Sequence, residues 1–206
     1  RYNGYQDKLP PEAYYGWLES VITGAMDRAR VVWVSYYHRH DLKISAMLER
    51  VLRERYGSWT WRKILWRFTF GQYRDTDFPN GYRPILLLQA HKADLNYDAV
   101  RVVSERMLLG DARAAGFRIP DDVWEIPRVV GNSPERRNWH PTQHPEELME
   151  RIIRLSASGQ ERFVDIFGGT GTSLRVGRRI GLNTAVVELD PVYCERIRDE
   201  AQGKAA

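Results

Sequence analysis

The segment Asp165–Thr172 reads Asp-Ile-Phe-Gly-Gly-Thr-Gly-Thr and combines residue types that can hold an adenosine-containing ligand. Glycines permit positive φ angles and let a ligand approach the backbone closely. Glu188 follows about 20 residues later at the end of an apolar run, where a carboxylate can accept hydrogen bonds from both ribose hydroxyls. The pair predicts a site for an adenosine cofactor, although a tight turn without any ligand shows the same local pattern.

The type of cofactor is narrowed by what this turn lacks. The dinucleotide fingerprint requires a third glycine at position 174, which is Leu174 here. No Gly-Lys-Ser/Thr follows, so the phosphate-cradling loop is absent as well. S-adenosylmethionine (SAM) carries no phosphate and requires neither feature, and the sequence therefore favours SAM.

A second motif upstream of the turn points to a family. His140–Pro145 reads His-Pro-Thr-Gln-His-Pro and resembles the HPTxKP segment of DNA amino-methyltransferases whose motif order is circularly permuted. Phe167–Gly171 matches that family's F-x-G-x-G turn, and Glu188–Tyr193 matches its acid and following tyrosine. Asp122–Pro127 resembles a run that precedes the HPT segment. The resemblance covers residues 122–198 well and the earlier half more loosely.

Two positions depart from the family pattern. His144 replaces the usual lysine, and Gly168 stands where alanine is common. Because the turn needs a small residue at 168, neither change is expected to abolish cofactor binding.

The resemblance implies a SAM-dependent enzyme that methylates an exocyclic amino group of a flipped DNA base, with adenine-N6 favoured over cytosine-N4. It implies direct transfer without a covalent enzyme intermediate and without a metal. In the family, the HPT segment holds the methionine end of SAM, here His140, Thr142 and Gln143. The other cofactor residues implied are Asp165, Phe167, Gly169, Gly171, Thr172 and Glu188.

The family's catalytic tetrapeptide, Asp/Asn/Ser-Pro-Pro-aromatic, does not occur in the printed sequence. Leu9-Pro10-Pro11-Glu12 has the two prolines without the acceptor or the ring. The resemblance places the tetrapeptide immediately upstream of Arg1, with Tyr2 and Tyr5 near the target base. Its strand would lie between two predicted strands, 30–36 and 162–167, because otherwise their backbone groups would be unpaired. The longer polypeptide, a second copy or a partner chain would supply it.

The elements that must position these motifs follow an α/β rhythm. Helices are predicted for 11–27, for a segment from Asp41 (its candidate cap) towards Gly57, and for 145–157, 173–180 and 192–201. Strands are predicted for 30–36, 59–70, 82–90, 162–167 and 184–189, of which the second and third form an antiparallel hairpin. With the resemblance, this predicts a Rossmann-like SAM-dependent methyltransferase fold with a mixed sheet in circularly permuted order. A single domain is expected, with a catalytic-side half (1–91), a target-recognition insert (92–138) and a SAM-binding half (139–206).

The charge balance and the cysteine count bound the partners and the compartment. The net charge is +4 and the pI about 9.2, which suits a polyanion such as DNA. Cys194 is the only cysteine, so a disulfide framework and a cysteine-based zinc site are excluded. No membrane-spanning run occurs, and we expect a cytoplasmic, prokaryotic or phage-type protein. The arginines predicted to contact DNA are Arg101, Arg106, Arg113, Arg136 and Arg137.

Two alternatives stay open at this point. The chain is either an enzyme or a catalytically inactive methyltransferase-like DNA-binding subunit, which the lack of the tetrapeptide favours. A SAM enzyme that acts on RNA or a small molecule is a third reading, and the HPT-like segment argues against it.

Overall fold

The structure is a computed structural model that describes residues 9–68, 75–113, 116–157 and 159–204. The helices are Pro11–Met26 (α1), Asp41–Arg55 (α2), Glu105–Leu108 (α3), Glu146–Ser156 (α4), Thr172–Arg179 (α5) and Pro191–Ala201 (α6). The strands are Val31–Ser35 (β1), Thr60–Arg67 (β2), Tyr82–Gln89 (β3), Val102–Val103 (β4), Phe117–Arg118 (β5), Val123–Glu125 (β6), Arg162–Asp165 (β7) and Asn183–Val186 (β8). The elements predicted between residues 11 and 90 and between 145 and 201 are present, with bounds shifted by a few residues.

The described residues form two compact units. The first contains the residues up to Asp94 together with Asp121–Glu125, and the second contains Leu95–Pro120 and the chain from Ile126 onward. The segment 92–138 contributes to both, because β6 belongs to the first unit and β4 and β5 to the second. Among the described helices, none combines the length and the apolar character needed to cross a membrane.

The first unit is a four-stranded sheet in the order β1-β3-β2-β6. β3 pairs antiparallel with β1 and with β2, which confirms the predicted hairpin. β6 pairs in parallel with β2, where Trp124 lies opposite Trp66, so the sheet is mixed as expected. The sequence did not predict β6 as a strand.

The core of the first unit forms between α1, α2 and one face of this sheet. Ile22 of α1 and Ile44 of α2 are buried together with Leu86 and Leu88 of β3. The alternate β3 residues Ile85 and Leu87, which point to the opposite face, are buried as well. β3 is therefore buried on both faces, which explains why its sequence is a continuous apolar run.

The start of α2 differs from the expectation that Asp41 caps it. The N-cap residue is His40, and Asp41 is the first residue of the helix. The Asp41 carboxylate accepts hydrogen bonds from the Tyr36 hydroxyl at 2.6 Å and from the Lys63 ammonium at 2.9 Å. Asp41 therefore links the residue after β1 to Lys63 of β2, and its carboxylate is engaged there instead of capping its own helix.

The second unit is built on β7 and β8, which pair in parallel from Arg162–Asn183 to Asp165–Val186. α5 connects the two strands, and α4 packs beside it through Met149 and Ile153, which contact Val176. A separate antiparallel pair, β4 with β5, flanks α3. Parallel pairing places the carboxyl ends of β7 and β8 at one edge, where ligands bind in open α/β sheets.

The pairing partners of β1 and β7 are relevant to the strand that was predicted to lie between them. Among the described strands, β1 pairs only with β3 and β7 only with β8. β1 belongs to the first unit and β7 to the second, and the intervening strand stays a prediction. The circularly permuted order and the division into three parts stay predictions.

Candidate cofactor-binding site

The glycine turn begins where β7 ends, and Asp165 fixes its shape. The Asp165 carboxylate accepts hydrogen bonds from the Phe167 backbone nitrogen at 3.0 Å and from the Ser173 hydroxyl at 2.7 Å. Ser173 lies in the first turn of α5 and is fully buried. Asp165 therefore joins the end of β7 to the start of α5. It would affect ligand binding by fixing the shape of the turn.

Three glycines give the turn its path. Gly169 and Gly171 have φ angles of +52° and +69°, in the left-handed region that favours glycine. A Cβ on Gly171 would lie 3.0 Å from the Ile197 side chain of α6. A Cβ on Gly168 would lie 3.2 Å from the Val187 carbonyl oxygen, so even alanine there requires a small shift. Positive φ at two of these positions and close packing against β8 and α6 at Gly168 and Gly171 therefore explain why the turn contains glycines.

The carboxylate of Glu188 lies directly beside this turn. One oxygen, Oε2, accepts a hydrogen bond from the Gly169 nitrogen at 2.7 Å. The other, Oε1, accepts from the nitrogens of Leu189 and Asp190 at 2.8 and 2.9 Å. Since a carboxylate oxygen has about two lone pairs, Oε1 is filled and Oε2 retains one acceptor position. The acid both closes the turn and keeps capacity for a ligand hydroxyl.

His140 also borders this turn, at Gly169. Its ring is buried, and a Cβ on Gly169 would lie 3.5 Å from its Nε2. Its Nδ1 contacts the Thr142 carbonyl oxygen and lies 3.2 Å from the Thr142 nitrogen. Burial lowers the pKa of His140 below 6.5, and this outweighs the Thr142 backbone and the carboxylates of Glu188 and Asp190, which raise it. The neutral ring is therefore favoured next to the turn.

Gln143 turns its side chain away from the glycine turn. Its Oε1 accepts a hydrogen bond from the Arg137 nitrogen at 2.9 Å, and its Nε2 donates to the Glu135 carbonyl at 2.7 Å. The amide thereby orders the loop that precedes His140. Both ends of the amide are thus engaged in holding this loop.

Two further residues predicted from the sequence lie at the turn with different surroundings. Thr172 is buried, and its hydroxyl lies 2.9 Å from that of Thr170. Phe167, two residues after β7, is 59% exposed. Thr172 therefore belongs to the support of the turn, and Phe167 offers an aromatic surface to a ligand.

The sequence did not predict the role of Gly177. A Cβ on Gly177 of α5 would lie 1.8 Å from the Thr184 hydroxyl and 2.5 Å from its Cβ. Such distances are not compatible with the observed packing of α5 on β8. The close helix–strand approach that the dinucleotide fingerprint assigns to a glycine at 174 is made here by Gly177. The signal in the sequence was Gly177 itself, one helical turn after position 174.

Tyr193 was noted only as a family match, and the structure gives it a partner. Its ring centroid lies 4.6 Å from that of His140 and 5.6 Å from that of Trp139. Tyr193 is buried, so α6 presses an aromatic side chain against the segment that begins at His140.

The five arginines predicted to bind DNA differ in their freedom to do so. Arg101 and Arg106 each bind a nearby aspartate, Asp98 and Asp111. Arg113 lies 3.7 Å from Asp111 with 90% of its side chain exposed. The remaining two, Arg136 and Arg137, bind Asn138 and Glu200 respectively. Arg113 is the most accessible to a phosphate, and Arg137 is held inside the second unit.

Tyr2 and Tyr5, predicted near the target base, lie outside the described residues. Within the described ranges, no three histidine, cysteine or acidic side chains are grouped so as to hold a metal ion.

A cleft of about 280 Å³ lies between α5 and α6, lined by Gly171, Arg175 and Glu200 among others. Glu188 and His140 do not line it, so this cleft is distinct from the turn's candidate ligand face.

Comparison with known protein families gives a match over residues 1–199 to the family described as DNA methylase. This range includes both the glycine turn and the His140–Pro145 segment. The chain belongs to the DNA methylase family. The resemblance inferred from the sequence is thus confirmed at the level of the family.

Two curated relatives of this DNA methylase chain are type II methyltransferase M.HpaI of Haemophilus parainfluenzae and DNA adenine methyltransferase YhdJ of Escherichia coli (strain K12). The first is 27% identical over 170 residues, which are 81% of this chain and 49% of the relative. The second is 29% identical over 143 residues, 64% of this chain and 48% of the relative. The chain spans about half the length of the curated relatives it matches.

Solved structures share the fold of this DNA methylase chain at lower sequence identity. The M1.HpyAVI–SAM complex matches with a TM-score of 0.64 at 18% identity, covering 93% of this chain and 85% of that one. The cytosine-N4-specific PvuII DNA methyltransferase matches with a TM-score of 0.66 at 16% identity, covering 96% and 74%. These similarities support the methyltransferase α/β fold and nothing finer.

Proposed function

We propose that this chain binds SAM at the glycine turn and forms part of a DNA methyltransferase that modifies an exocyclic amino group. The observation that carries the proposal is the contact between the Glu188 carboxylate and the Gly169 nitrogen at the carboxyl ends of β7 and β8. It places an acceptor for ribose hydroxyls against a backbone without side chains. That combination fits an adenosine cofactor that lacks phosphate.

Each part of SAM has a counterpart among the described residues. The ribose would bind the acceptor position that Glu188 Oε2 retains. The adenine ring would lie against the exposed Phe167 side chain, since aromatic rings favour stacked or edge contacts. The methionine end would meet the backbone near Thr142 and the neutral ring of His140. Asp165 and Thr172 would support the turn from behind.

When bound, SAM supplies an electrophilic methyl group. The residues of this chain then bind and orient the cofactor, and such positioning can account for a large share of a rate enhancement. No cysteine lies in the turn or in the His140–Pro145 segment, and the proposed transfer goes directly to the amine. The amine must itself be held by an acceptor, which the family's tetrapeptide supplies.

We place that tetrapeptide on a strand between β1 and β7, supplied by the longer polypeptide, a second copy or a partner chain. The support is that, among the described strands, each of these two has only one pairing partner. Unpaired backbone groups on central strands are costly, so another strand is expected there. Tyr2 and Tyr5 are proposed to lie near the target base.

Adenine-N6 is favoured over cytosine-N4 as the target. The support is the name of the E. coli relative, a DNA adenine methyltransferase, at 29% identity. The cytosine-N4-specific structure is similar in fold at 16% identity and does not weigh against adenine. On the DNA side, exposed arginines such as Arg113 are proposed to contact phosphates.

A second candidate function is a methyltransferase-like subunit that binds DNA without transferring a methyl group. The lack of the tetrapeptide in the printed sequence favours it. The enzyme would produce methylated DNA, and the inactive subunit would not.

The test uses the full polypeptide with tritium-labelled SAM and duplex DNA. SAM affinity is measured by calorimetry, transfer by tritium counting, and the product by mass spectrometry of the digested nucleosides. N6-methyladenine in the DNA supports the leading proposal. N4-methylcytosine in the DNA would show instead that cytosine-N4 is the target. SAM binding without label in the DNA would favour the inactive subunit, and a folded protein that binds no SAM would overturn the proposal.

A further inference from the structure

Arg175 of α5 joins three parts of the second unit through one guanidinium group. It donates to the Thr170 carbonyl at 2.5 Å and to the Thr172 hydroxyl at 3.2 Å, both in or next to the glycine turn. It also pairs with Glu146 at the start of α4 at 3.4 Å and with Glu200 of α6 at 3.3 Å. The side chains of Arg175, Glu146 and Glu200 are 14–20% exposed, so these are not loose surface pairs.

Glu200 extends this set of contacts to the segment that contains His140. Its Oε1 accepts a hydrogen bond from Arg137 Nε at 2.7 Å. The backbone nitrogen of Arg137 in turn donates to Gln143, whose amide also binds the Glu135 carbonyl. A continuous series of hydrogen bonds therefore runs from the Thr170 carbonyl through Arg175, Glu200 and Arg137 to Gln143.

We propose that Arg175 and Glu200 are positioning residues for the cofactor, holding the glycine turn and the His140–Pro145 segment in one fixed arrangement. The inference rests on the proposed SAM site, because it concerns the geometry of that site. Thr170 lies between Gly169 and Gly171, the two glycines with positive φ, and glycine gives the backbone little stiffness of its own. A bond to the Thr170 carbonyl limits rotation of that peptide, and the same guanidinium binds α4 through Glu146 and α6 through Glu200.

The physical consequence is preorganisation. A binding surface made of two segments distant in sequence loses affinity when either segment must be ordered at the moment of binding. Removing one partner of a mostly buried ion pair also leaves the other charge without compensation, so the segments would move to re-solvate it. The contacts of Arg175 and Glu200 are intramolecular, and neither side chain is placed against SAM itself.

The experiment measures the dissociation constant for SAM by calorimetry on the full polypeptide, at a temperature where each variant is folded by circular dichroism. The variants are Arg175→Met, Arg175→Lys, Glu200→Gln and the double variant Arg175→Met/Glu200→Gln. The matched control is Arg196→Met, which removes the same charge from an exposed position on α6. The salt dependence of DNA binding is recorded in parallel, as a property that the network should not affect.

We expect Arg175→Met to weaken SAM binding about tenfold, equivalent to ~1.4 kcal/mol. Arg175→Lys should recover part of this loss, and the double variant should bind about as weakly as Arg175→Met because the two residues act as one unit. Arg196→Met should bind SAM like the wild type. In turnover, KM for SAM should rise while kcat at saturating SAM stays within about threefold.

The outcomes separate the two proposals. Wild-type protein that is folded and binds no SAM overturns the proposed function. Wild-type binding that the folded variants retain within about twofold overturns the positioning role alone, since a purely structural brace lowers stability without changing the affinity of the folded state. If Arg175→Met does not fold, Arg175→Lys and Glu200→Gln decide the question by the same criterion.

Discussion

The carboxylate of Glu188 and the backbone nitrogen of Gly169 lie 2.7 Å apart, although 19 positions separate them in the sequence. The bond holds the glycine turn against the residues that directly follow β8. Glu188 is therefore part of the turn's own structure as well as the candidate acceptor for a ribose. A substitution at this position should affect both the stability of the protein and its affinity for SAM.

Glu188→Gln should lower the free energy of unfolding by about 1–3 kcal/mol and weaken SAM binding. The carboxylate accepts three backbone N–H groups, one on Oε2 and two on Oε1. In the amide, whichever way it is flipped, the NH₂ group faces a backbone donor that is left unsatisfied. Urea denaturation and calorimetry with SAM measure the two effects. Glu195→Gln, at an exposed position on α6, is the control, and equal stability of both variants would contradict the prediction.

Gly177→Ala should destabilise the protein by about 1–3 kcal/mol, because the new methyl group would collide with Thr184. Gly16→Ala is the matched control, since Gly16 is also helical and nothing lies within 4 Å of its added Cβ. That change should stabilise its helix by about 0.5–1 kcal/mol. Denaturant midpoints of the two variants should therefore move in opposite directions. A midpoint for Gly177→Ala at or above the wild-type value would show that α5 is not held as closely to β8 as described.

SAM affinity should fall on acidification through protonation of His140. Burial holds the pKa of His140 below its usual 6.5, so the folded protein binds this proton more weakly than the unfolded chain does. The stability contributed by the neutral ring is present above pH 6.5 and is lost as the pH falls from 6.5 towards the folded-state pKa. Charging this ring in its buried place would also displace it from the Gly169 turn.

Calorimetry with SAM between roughly pH 7.5 and pH 5.5 measures this effect. His140→Gln should bind more weakly at neutral pH and lose most of the pH dependence, whereas the exposed His91→Gln should behave like the wild type. An unchanged pH dependence in His140→Gln would assign the titration to another group.

Arg113 and Arg137 should give different phenotypes in DNA binding. Arg113→Gln removes an exposed cation, so the slope of log K against log salt should become shallower by about one unit. Arg137→Gln removes one of the two arginines that bind Glu200, so it should weaken SAM binding and leave the salt slope close to the wild-type value. Fluorescence anisotropy with labelled duplex DNA over a salt series records the slope. The assignment of roles is reversed if Arg137→Gln alone changes it.

Local patterns explain most of what the sequence predicted. The strand, glycine turn and acid lie within one stretch, from Arg162 to Glu188, and each needs only its neighbours to be recognised. The buried run of β3 and the periodic helices are likewise local signals. By contrast, β6 has three residues and becomes a strand only through parallel pairing with β2, about 60 positions earlier. Nothing in the residues of β6 alone predicts this.

Side-chain partners distant in the chain were also beyond local reasoning. Arg137 was predicted as a DNA contact, but its partner Glu200 lies 63 positions away and holds it inside the second unit. Gln143 and Arg175 present the same difficulty, since an amide or guanidinium has the same local sequence signature whether it meets a ligand, solvent or protein. The fold must be known before such side chains can be assigned.

The single thiol of the chain lies beside the proposed cofactor site. Cys194 Sγ is 3.2 Å from the Glu188 carbonyl oxygen and is partly exposed on α6. A thiol-reactive fluorophore or spin label would therefore attach to this chain at one known point, six residues after Glu188, without any substitution. The chain thus carries a natural attachment point for spectroscopic observation of the turn, and the rate at which this thiol is alkylated reports on how tightly α6 is held against it.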